Sequence, residues 1–297
     1  MPSRQFESFI QMMRARPVDR SATVQQMREQ FERITPLFGP LPADVQIASA
    51  ELGGRACEWF TPMRLQTDGV MLYLHGGGYC IGSLTTHRHF TAMLASAASM
   101  RVVSLDYRLA PEHPFPAALE DAVAGYRGLT AQGLAAEQIC IAGDSAGGGL
   151  TLATIGQLCA DGDRLPGAGI CLSPWTDLAI TGMSVDGRAA IDPMIQPWEL
   201  HAYARRYLNG TPARDPRVSP LYGDFEGYPP ILLHVGSAEI LLDDSTRLHE
   251  RLRAANVDVT YHLAPDMIHV WHFFAPLIPE GETGVDDIAR FIRRYFS

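Results

Sequence analysis

Residues 141–149 read IAGDSAGGG, and they lie between a β-prone run at residues 138–142 and a helix-prone run from Leu150 to Leu158. A strand, a sharp turn and a helix in this order, with glycine two residues before and after Ser145, are typical of a nucleophile elbow. The serine of an elbow occupies a strained turn that neighbouring side chains would obstruct, so glycine is needed beside it. A glycine-rich turn that only packs, or one that cradles phosphate, would have a similar sequence. Ser145 is therefore a candidate nucleophile that needs support from elsewhere in the chain.

The composition excludes several kinds of protein. The chain has 297 residues, a formal charge of -9 and 46% hydrophobic residues, which is ordinary for a soluble globular enzyme with a sizeable core. The acidic balance argues against a surface that binds nucleic acid. All 24 basic residues are arginine, so Schiff-base chemistry, P-loop phosphate binding and the Ser-x-x-Lys hydrolases are excluded.

The cysteine pattern and the lack of long apolar runs bear on location. The cysteines are odd in number, lie mostly within apolar runs and form no C-x-x-C pair: Cys57, Cys80, Cys140, Cys159 and Cys171. This pattern predicts buried, reduced thiols, with no disulfide framework and no zinc site. The first residues lack the apolar core of a signal peptide, and no run approaches the length of a membrane span. We therefore expect a cytoplasmic protein without a membrane partner.

Strand-like and helix-like runs alternate along most of the chain. Residues 45–51 and 55–61 flank a Gly-Gly pair and predict an antiparallel hairpin at a sheet edge. Residues 70–74 are apolar throughout, as expected of a strand buried on both faces, and the alternation continues to a final helix at residues 285–296. It predicts an α/β fold, with a mostly parallel sheet and helices on both faces. Because no linker divides the alternation, we expect one domain over residues 1–297.

Two segments fall outside this alternation. Residues 1–40 contain two helix-like runs, separated at Arg16-Pro17, whose apolar faces are rich in phenylalanine and methionine. Residues 180–215 interrupt the strand order and contain a helix-like run that begins at Gln196-Pro197 and ends at Asn209-Gly210. Plain packing against the core would explain the first segment. The functional alternative is that the two segments together form a cap over an active site.

Candidate catalytic groups follow three further predicted strands. The run HGGG at residues 75–78 follows a strand, and its glycines would let backbone N–H groups approach a substrate oxygen. Glu239 follows the strand at residues 231–235, and His269 follows the last strand. Substrates of such sheets bind at the carboxyl ends of the strands, where these groups are expected to meet Ser145. A serine, an acid and a histidine are the groups that a serine hydrolase needs.

Three motifs, in this order, carry a family resemblance: HGGG at residues 75–78, DYRLAPEHPFPAA at residues 106–118 and GDSAGG at residues 143–148. They resemble those of the bacterial hormone-sensitive-lipase-like (family IV) esterases of the α/β-hydrolase superfamily. The resemblance, over roughly residues 70 to 275, implies an eight-stranded core, a helical cap, no cofactor, short-to-medium acyl esters as substrates and homodimers as a frequent assembly. It also implies that the oxyanion is held by the N–H groups of Gly77, Gly78 and Ala146.

The chain departs from the family pattern at the acid. Many relatives carry D-P-L-x-D after the penultimate strand, and residues 239–243 (EILLD) stand in that register, so Glu239 takes the position of the first aspartate. Its longer side chain can still reach the Nδ1 side of His269. Asp243 and Asp244 are close enough in sequence to compete for this role, although their position also suits capping of the next helix.

Other histidines have structural explanations. His262 lies within the last strand, His272 lies in an aromatic stretch, and His75 is expected to orient the glycine loop. The spacing of His87 and His89 would suit a metal in an extended strand, but no third ligand is apparent. The sequence therefore predicts no metal site, and surface or cap contact explains this pair.

Several residues near the motifs are assigned supporting roles. Asp144 is too constrained to be the triad acid and is expected to anchor the elbow, and residues 106–108 are expected to brace loops around the site. Aromatic side chains are candidates for the acyl or alcohol pocket, although core packing explains each equally well: Tyr79, Trp175, Trp198, Tyr203 and Tyr207.

These motifs together predict a serine carboxylesterase that acts through an acyl-enzyme intermediate, with Ser145, Glu239 and His269 as its triad. Lactonases and amidases use the same triad, so those activities stay open. A non-catalytic small-molecule receptor on the same fold is the alternative of another class, and the presence of His269 argues against it. Activity is expected to fall as the pH drops through about 6.5, where histidine gains a proton.

Overall fold

A mixed eight-stranded sheet forms the centre of the chain in a computed structural model, which describes residues 2–15 and 19–296. The strands in chain order are β1 Val45–Leu52, β2 Arg55–Pro62, β3 Val70–Leu74, β4 Arg101–Leu105, β5 Ile139–Asp144, β6 Ala168–Leu172, β7 Ile231–Gly236 and β8 Val259–Ala264. Their spatial order is β1-β2-β4-β3-β5-β6-β7-β8. β1 and β2 form an antiparallel hairpin, β2 is antiparallel to β4, and the remaining neighbours are parallel. The predicted α/β fold with an edge hairpin is confirmed.

Helices cover both faces of this sheet. In the described residues they are α1 Arg4–Arg14, α2 Val24–Glu32, α3 Leu84–Ala98, α4 Ala117–Ala131, α5 Ala146–Asp161, α6 Ser184–Gly187, α7 Pro197–Leu208, α8 Leu242–Ala254 and α9 Pro279–Tyr295. α3 and α9 pack together on one face, and α4 and α5 pack together on the other. Because β3 and β5 contribute buried side chains to the apolar clusters on both faces, their sequences show no polar alternation.

Two helices begin earlier than the apolar patterns of the sequence predict, which are residues 90–98 for α3 and residues 285–296 for α9. α3 begins at Leu84 because Ser83 caps it: the Ser83 hydroxyl accepts from the Thr86 N–H at 3.2 Å, and the Thr86 hydroxyl accepts from the Ser83 N–H at 2.8 Å. α9 begins at Pro279, a residue that fits the first turn because it needs no hydrogen-bonded N–H there.

The two segments outside the alternation lie over the carboxyl ends of the central strands. The predicted break at Arg16-Pro17 falls outside the described residues. α2 carries the predicted capping box, with Thr23 and Gln26 bonded reciprocally. Arg28 of α2 donates to the carbonyls of Cys80 and Ala110 at 2.9 and 3.0 Å, which fastens this helix to the loops beneath it. α7 begins at Pro197 and ends before Asn209, as the sequence predicts.

Among the helices of residues 2–15 and 19–296, none combines the length and the apolarity that crossing a bilayer demands. All five cysteines are free thiols, and four are buried as predicted. Cys159 is the exception, because it lies in the last turn of α5, where the helix reaches solvent.

Candidate active site

Ser145 lies in a strained turn between β5 and α5. Its backbone has φ 54° and ψ -122°, a region that non-glycine residues rarely occupy. The turn is held by main-chain hydrogen bonds, in which the Ser145 N–H donates to the Leu172 carbonyl at 2.8 Å and the Ser145 carbonyl accepts from Trp175 at 2.9 Å. A Cβ on Gly147 would lie 1.9 Å from the carbonyl oxygen of Leu74, so only glycine fits there. The predicted strand, turn and helix are present, with glycine where the turn requires it.

Asp144 anchors this turn to the neighbouring strand. One carboxylate oxygen accepts from the Tyr73 hydroxyl at 2.6 Å and from the Gly76 N–H at 2.9 Å, and the His87 Nε2 lies 3.5 Å away. Burial alone would raise the pKa of Asp144, but the interactions with His87 and Tyr73 outweigh it and lower that pKa. An ionised carboxylate with three partners on one oxygen fits the anchoring role predicted for Asp144.

The HGGG loop turns sharply beneath the cap. Gly77 and Gly78 have φ values of 116° and 60°, and a Cβ on Gly78 would lie 2.6 Å from the ring of Tyr203. Because the Gly76 N–H is taken by Asp144, it cannot bind a substrate oxygen. The His75 Nδ1–H donates a hydrogen bond to the Gly76 carbonyl at 2.8 Å, and the His75 ring stacks on Tyr107. His75 therefore orients the glycine loop, as expected from the sequence.

Glu239 and His269 are brought together by the loops that follow β7 and β8. Glu239 Oε2 lies 2.6 Å from His269 Nδ1. The other oxygen, Oε1, accepts from the Ser173 hydroxyl and from the Gly236 N–H, each at 2.7 Å. The Ser173 hydroxyl in turn accepts from the Val270 N–H at 3.1 Å. Both carboxylate oxygens are thus held, and Nδ1 of His269 has a fixed partner.

The environment of His269 favours its protonated form. Burial lowers the pKa of His269, but the negative charge of Glu239 and its hydrogen bond, with a smaller effect of Asp192, outweigh burial and raise the pKa above 6.5. A histidine of this kind accepts a proton readily while it is neutral and stabilises the charge that it then carries.

Asp243 and Asp244 bond to groups other than His269. The Asp243 carboxylate accepts from the Ser184 N–H at 3.0 Å. The Asp244 carboxylate accepts from the N–H groups of Thr176 and Asp177 at 2.7 and 2.8 Å, and burial raises its pKa to about 7. The position of these residues in the sequence suggested that they cap α8, but neither side chain does. Both lie inside the first turn of α8 and fasten the segment after β6 to that helix.

A cavity of about 360 Å³ lies above Ser145 and His269. We call its lower wall the sheet side; it is formed by residues 76–78, Asp144, Ser145 and His269. We call its upper wall the cap side; it is mainly apolar and comes from the two segments outside the alternation: Met13, Met27, Phe31, Ile34, Met194, Ile195, Leu200 and Tyr203. Phe273 and Phe274 also line the cavity.

The five aromatic candidates for the pocket are divided by the structure. Trp175 and Tyr203 line the cavity. Tyr79 and Tyr207 do not, because their rings stack on each other at 3.8 Å and are almost wholly buried behind its wall. Trp198 lies away from it, beside Arg20, whose guanidinium lies 5.6 Å from the indole centroid.

Two buried side chains lie beside the site: Asp192, which was no candidate in the sequence, and His87, which had been assigned only to surface or cap contact. Asp192 accepts from the N–H groups of Met194 and Ile195 with one oxygen and from the Ile240 N–H with the other, so it joins the cap side to the loop of Glu239. His87 is buried between Asp144 and Phe31. The sequence does contain a turn signal at Asp192, because a proline follows it directly in the run Pro-Met-Ile. Ser83, a residue type that caps helices, was the signal in the sequence that α3 begins early enough to include His87.

A strained serine, a histidine paired with a buried carboxylate and a mostly parallel sheet define the class of α/β-hydrolases. A family model of the alpha/beta hydrolase fold matches residues 71–273. The chain belongs to this family, and within it to the hormone-sensitive-lipase-like (family IV) esterases; it is a carboxylesterase.

The relatives that carry this assignment span nearly the whole chain. The acetyl-hydrolase of Streptomyces hygroscopicus is 42% identical over 277 residues, which cover 92% of this chain and 91% of the relative. A solved esterase from the bacterial hormone-sensitive lipase family is 42% identical, with a TM-score of 0.95 and complete coverage of both chains. The crystal structure of EstE5 soaked with p-nitrophenyl butyrate is 39% identical, with a TM-score of 0.95 and 99% coverage of each.

Proposed function

We propose that Ser145, His269 and Glu239 form the catalytic triad of this carboxylesterase. The observation that carries the proposal is the 2.6 Å contact between Glu239 and His269 beside a cavity onto which both His269 and Ser145 open. Glu239 thus replaces the aspartate that the family usually carries. Two further contacts on its Oε1 hold it in place, so its extra methylene does not leave the carboxylate loose.

The reaction proceeds by two acyl transfers. His269 takes the proton of the Ser145 hydroxyl, and the serine oxygen attacks the ester carbonyl; the tetrahedral intermediate collapses as His269 returns the proton to the leaving alcohol. Glu239 keeps the Nδ1–H tautomer of His269 and stabilises the imidazolium. A water molecule, deprotonated by His269, then attacks the acyl-enzyme and releases the acid and the free serine.

The N–H groups of Gly77, Gly78 and Ala146 hold the oxyanion in both steps. Ala146 is the first residue of α5, whose unpaired N–H groups and positive dipole end face the nucleophile. The positive φ of Gly77 and Gly78 supports the same role, because it bends the loop in a way that other residues resist. The Gly76 N–H has its partner in Asp144.

Residues 1–40 and 180–215 act as the cap of a single α/β-hydrolase domain, and the substrates are short-to-medium acyl esters. The apolar cap side and the limited cavity volume support this range, as does the p-nitrophenyl butyrate soaked into the related EstE5. Trp175 and Tyr203 contact the substrate. The cytoplasmic location and the homodimer stay predictions.

Replacement of the nucleophile tests the proposal. The S145A variant should lose about 10⁵ to 10⁶ in kcat towards p-nitrophenyl butyrate, because no other group in the site can form the acyl-enzyme. An unchanged melting temperature would show that the loss is chemical. Mass spectrometry of the wild-type chain after treatment with a fluorophosphonate should place the adduct on Ser145. If S145A kept most of its activity, the assignment would be wrong.

A further inference from the structure

A cluster of metal-ligating side chains lies at the far edge of the sheet, outside the cavity. His234 of β7, His262 of β8 and Asp287 of α9 each offer one ligand atom, and these atoms all lie within 4.8 Å of one another. His234 is buried, whereas the side chain of His262 is 41% exposed and that of Asp287 is 14% exposed. An ion could therefore reach the cluster from solvent, while one ligand is held rigidly by the sheet.

The separations suit ligands of one ion. His262 Nδ1 and Asp287 Oδ2 are 3.3 Å apart. Two atoms that are each about 2.1 Å from a tetrahedral zinc ion are about 3.4 Å from each other. The ligand atom of the buried His234 lies within 4.8 Å of both others, and the partly exposed His262 ring can adjust when an ion binds.

The other ring nitrogen of His234 is already engaged. His234 Nδ1 lies 2.9 Å from His272 Nε2, and both rings are buried. Ligating histidines in metal sites almost always have the second ring nitrogen held by such a hydrogen bond.

We propose that His234 Nε2, His262 Nδ1 and Asp287 Oδ2 form a binding site for a divalent transition ion, with Zn²⁺ as its best probe and water in the remaining positions. Two imidazoles and one carboxylate are ligands that such ions accept. The proton of His234 then lies on Nδ1, and this N–H donates a hydrogen bond to His272 Nε2. Residue spacing in the sequence could not reveal this set, because its members are far apart along the chain: His234 and His262 are paired across β7 and β8, and Asp287 belongs to α9.

One cation competes for the same carboxylate. Arg290, one turn further along α9, contacts Oδ1 of Asp287, while Oδ2 faces the histidines. The side chain of Arg290 is 64% exposed, so it can move away when an ion binds. Its removal should strengthen binding, because it eliminates both a competitor and a like charge.

The site is joined to the groups proposed for catalysis. His272, the partner of His234, lies three residues after His269 in the same loop. The His234 carbonyl accepts from the Ser173 N–H at 2.7 Å, and the Ser173 hydroxyl donates to Glu239. An ion at His234 therefore stabilises the loops that hold Glu239 and His269, and it favours the folded state because the unfolded chain lacks the assembled site.

Isothermal titration of the untagged, chelator-treated chain with ZnCl2 tests the site. The wild type should bind one ion, and its melting temperature should rise with ion concentration. H262Q and D287N should each weaken binding at least about tenfold, as loss of a ligand exceeds the effect of losing a supporting hydrogen bond. D286N, with an exposed acid on the same helix, should bind as the wild type does, and R290A should bind more tightly.

Three outcomes would overturn the site: no binding by the wild type, unchanged affinity in both H262Q and D287N, or loss of binding in C159S, which would assign the ion to the exposed thiol. His262 and Asp287 are partly exposed, so both variants should fold, and melting curves in chelator check this. The result does not depend on the activity of S145A, so it is separable from the proposed triad.

Discussion

The two walls of the cavity are built in different ways. On the sheet side, polar groups are fixed by short hydrogen bonds, as in Asp144 with Tyr73 and Gly76, and in His269 with Glu239 behind the wall. On the cap side, methionine, phenylalanine and leucine side chains pack without directional contacts. Directional contacts fail when one atom is changed, whereas apolar side chains can repack. We infer that the sheet side determines the reaction and the cap side determines which esters enter.

The largest effect that separates the walls is expected at the acid. E239Q should lower kcat by about 10⁴, because an amide neither fixes the His269 tautomer nor stabilises its charge. D243N is the matched control; it should stay within about threefold, since Asp243 bonds to Ser184 and not to His269. Steady-state kinetics with one ester would compare them. A greater loss of kcat in D243N than in E239Q would mean that the triad acid is Asp243, at the start of α8, and not Glu239.

Gly78 is the point at which the two walls touch. G78A should lose about 10²- to 10³-fold in kcat, because a displaced loop loses an oxyanion donor. Two effects would displace it: the new Cβ meets the ring of Tyr203, and a φ of 60° is unfavourable for a residue with a side chain. The double variant G78A/Y203A removes the clash and leaves the φ effect. Full recovery of kcat in the double variant would mean that the contact with Tyr203, and not the φ value, displaces the loop in G78A. If G78A itself kept its activity, Gly78 would not be an oxyanion donor.

The acidic limb of the pH profile reports mainly on the pairing of His269 with Glu239. The pKa of His269 is raised above 6.5 by Glu239, and the base must be neutral to act, so kcat/KM should fall about tenfold per pH unit below a midpoint that lies above 6.5. In E239Q the midpoint of the residual activity should move to lower pH, because the raising charge is gone. A midpoint that did not move would show that Glu239 does not control this histidine.

The smallest effect is expected on the cap side. F31A should lower the preference for octanoate over acetate esters by about tenfold or less, because Phe31 contributes apolar wall to the cavity, and should leave kcat for acetate nearly unchanged. L37A, which removes an apolar side chain that is 50% exposed, is the control. Ratios of kcat/KM across an ester series would measure the change. An equal loss for every chain length would assign Phe31 to the sheet-side machinery.

The sequence was most informative where chemistry demands particular residues. Gly143, Ser145 and Gly147 predicted the elbow because a strained turn admits few alternatives, and Glu239 and His269 followed from their places after strands. It was least informative where tertiary packing decides. Tyr79 and Tyr207 were candidates for the pocket, but their mutual stacking places them behind its wall. Asp192 was not found, because its partners are backbone N–H groups of two distant segments, and no residue pattern records such contacts.

Helix α5 fixes the distance between two sites that can be labelled selectively. It begins immediately after Ser145, and its last turn carries Cys159, the one exposed thiol among the five cysteines. Fourteen residues at 1.5 Å per residue separate the two side chains by about 21 Å along the helix axis. A dye coupled to the thiol and a second dye on a serine-directed inhibitor would therefore be separated by a nearly rigid spacer, suited to energy-transfer calibration. Since the chain contains no lysine, maleimide labelling would meet no competing side-chain amines.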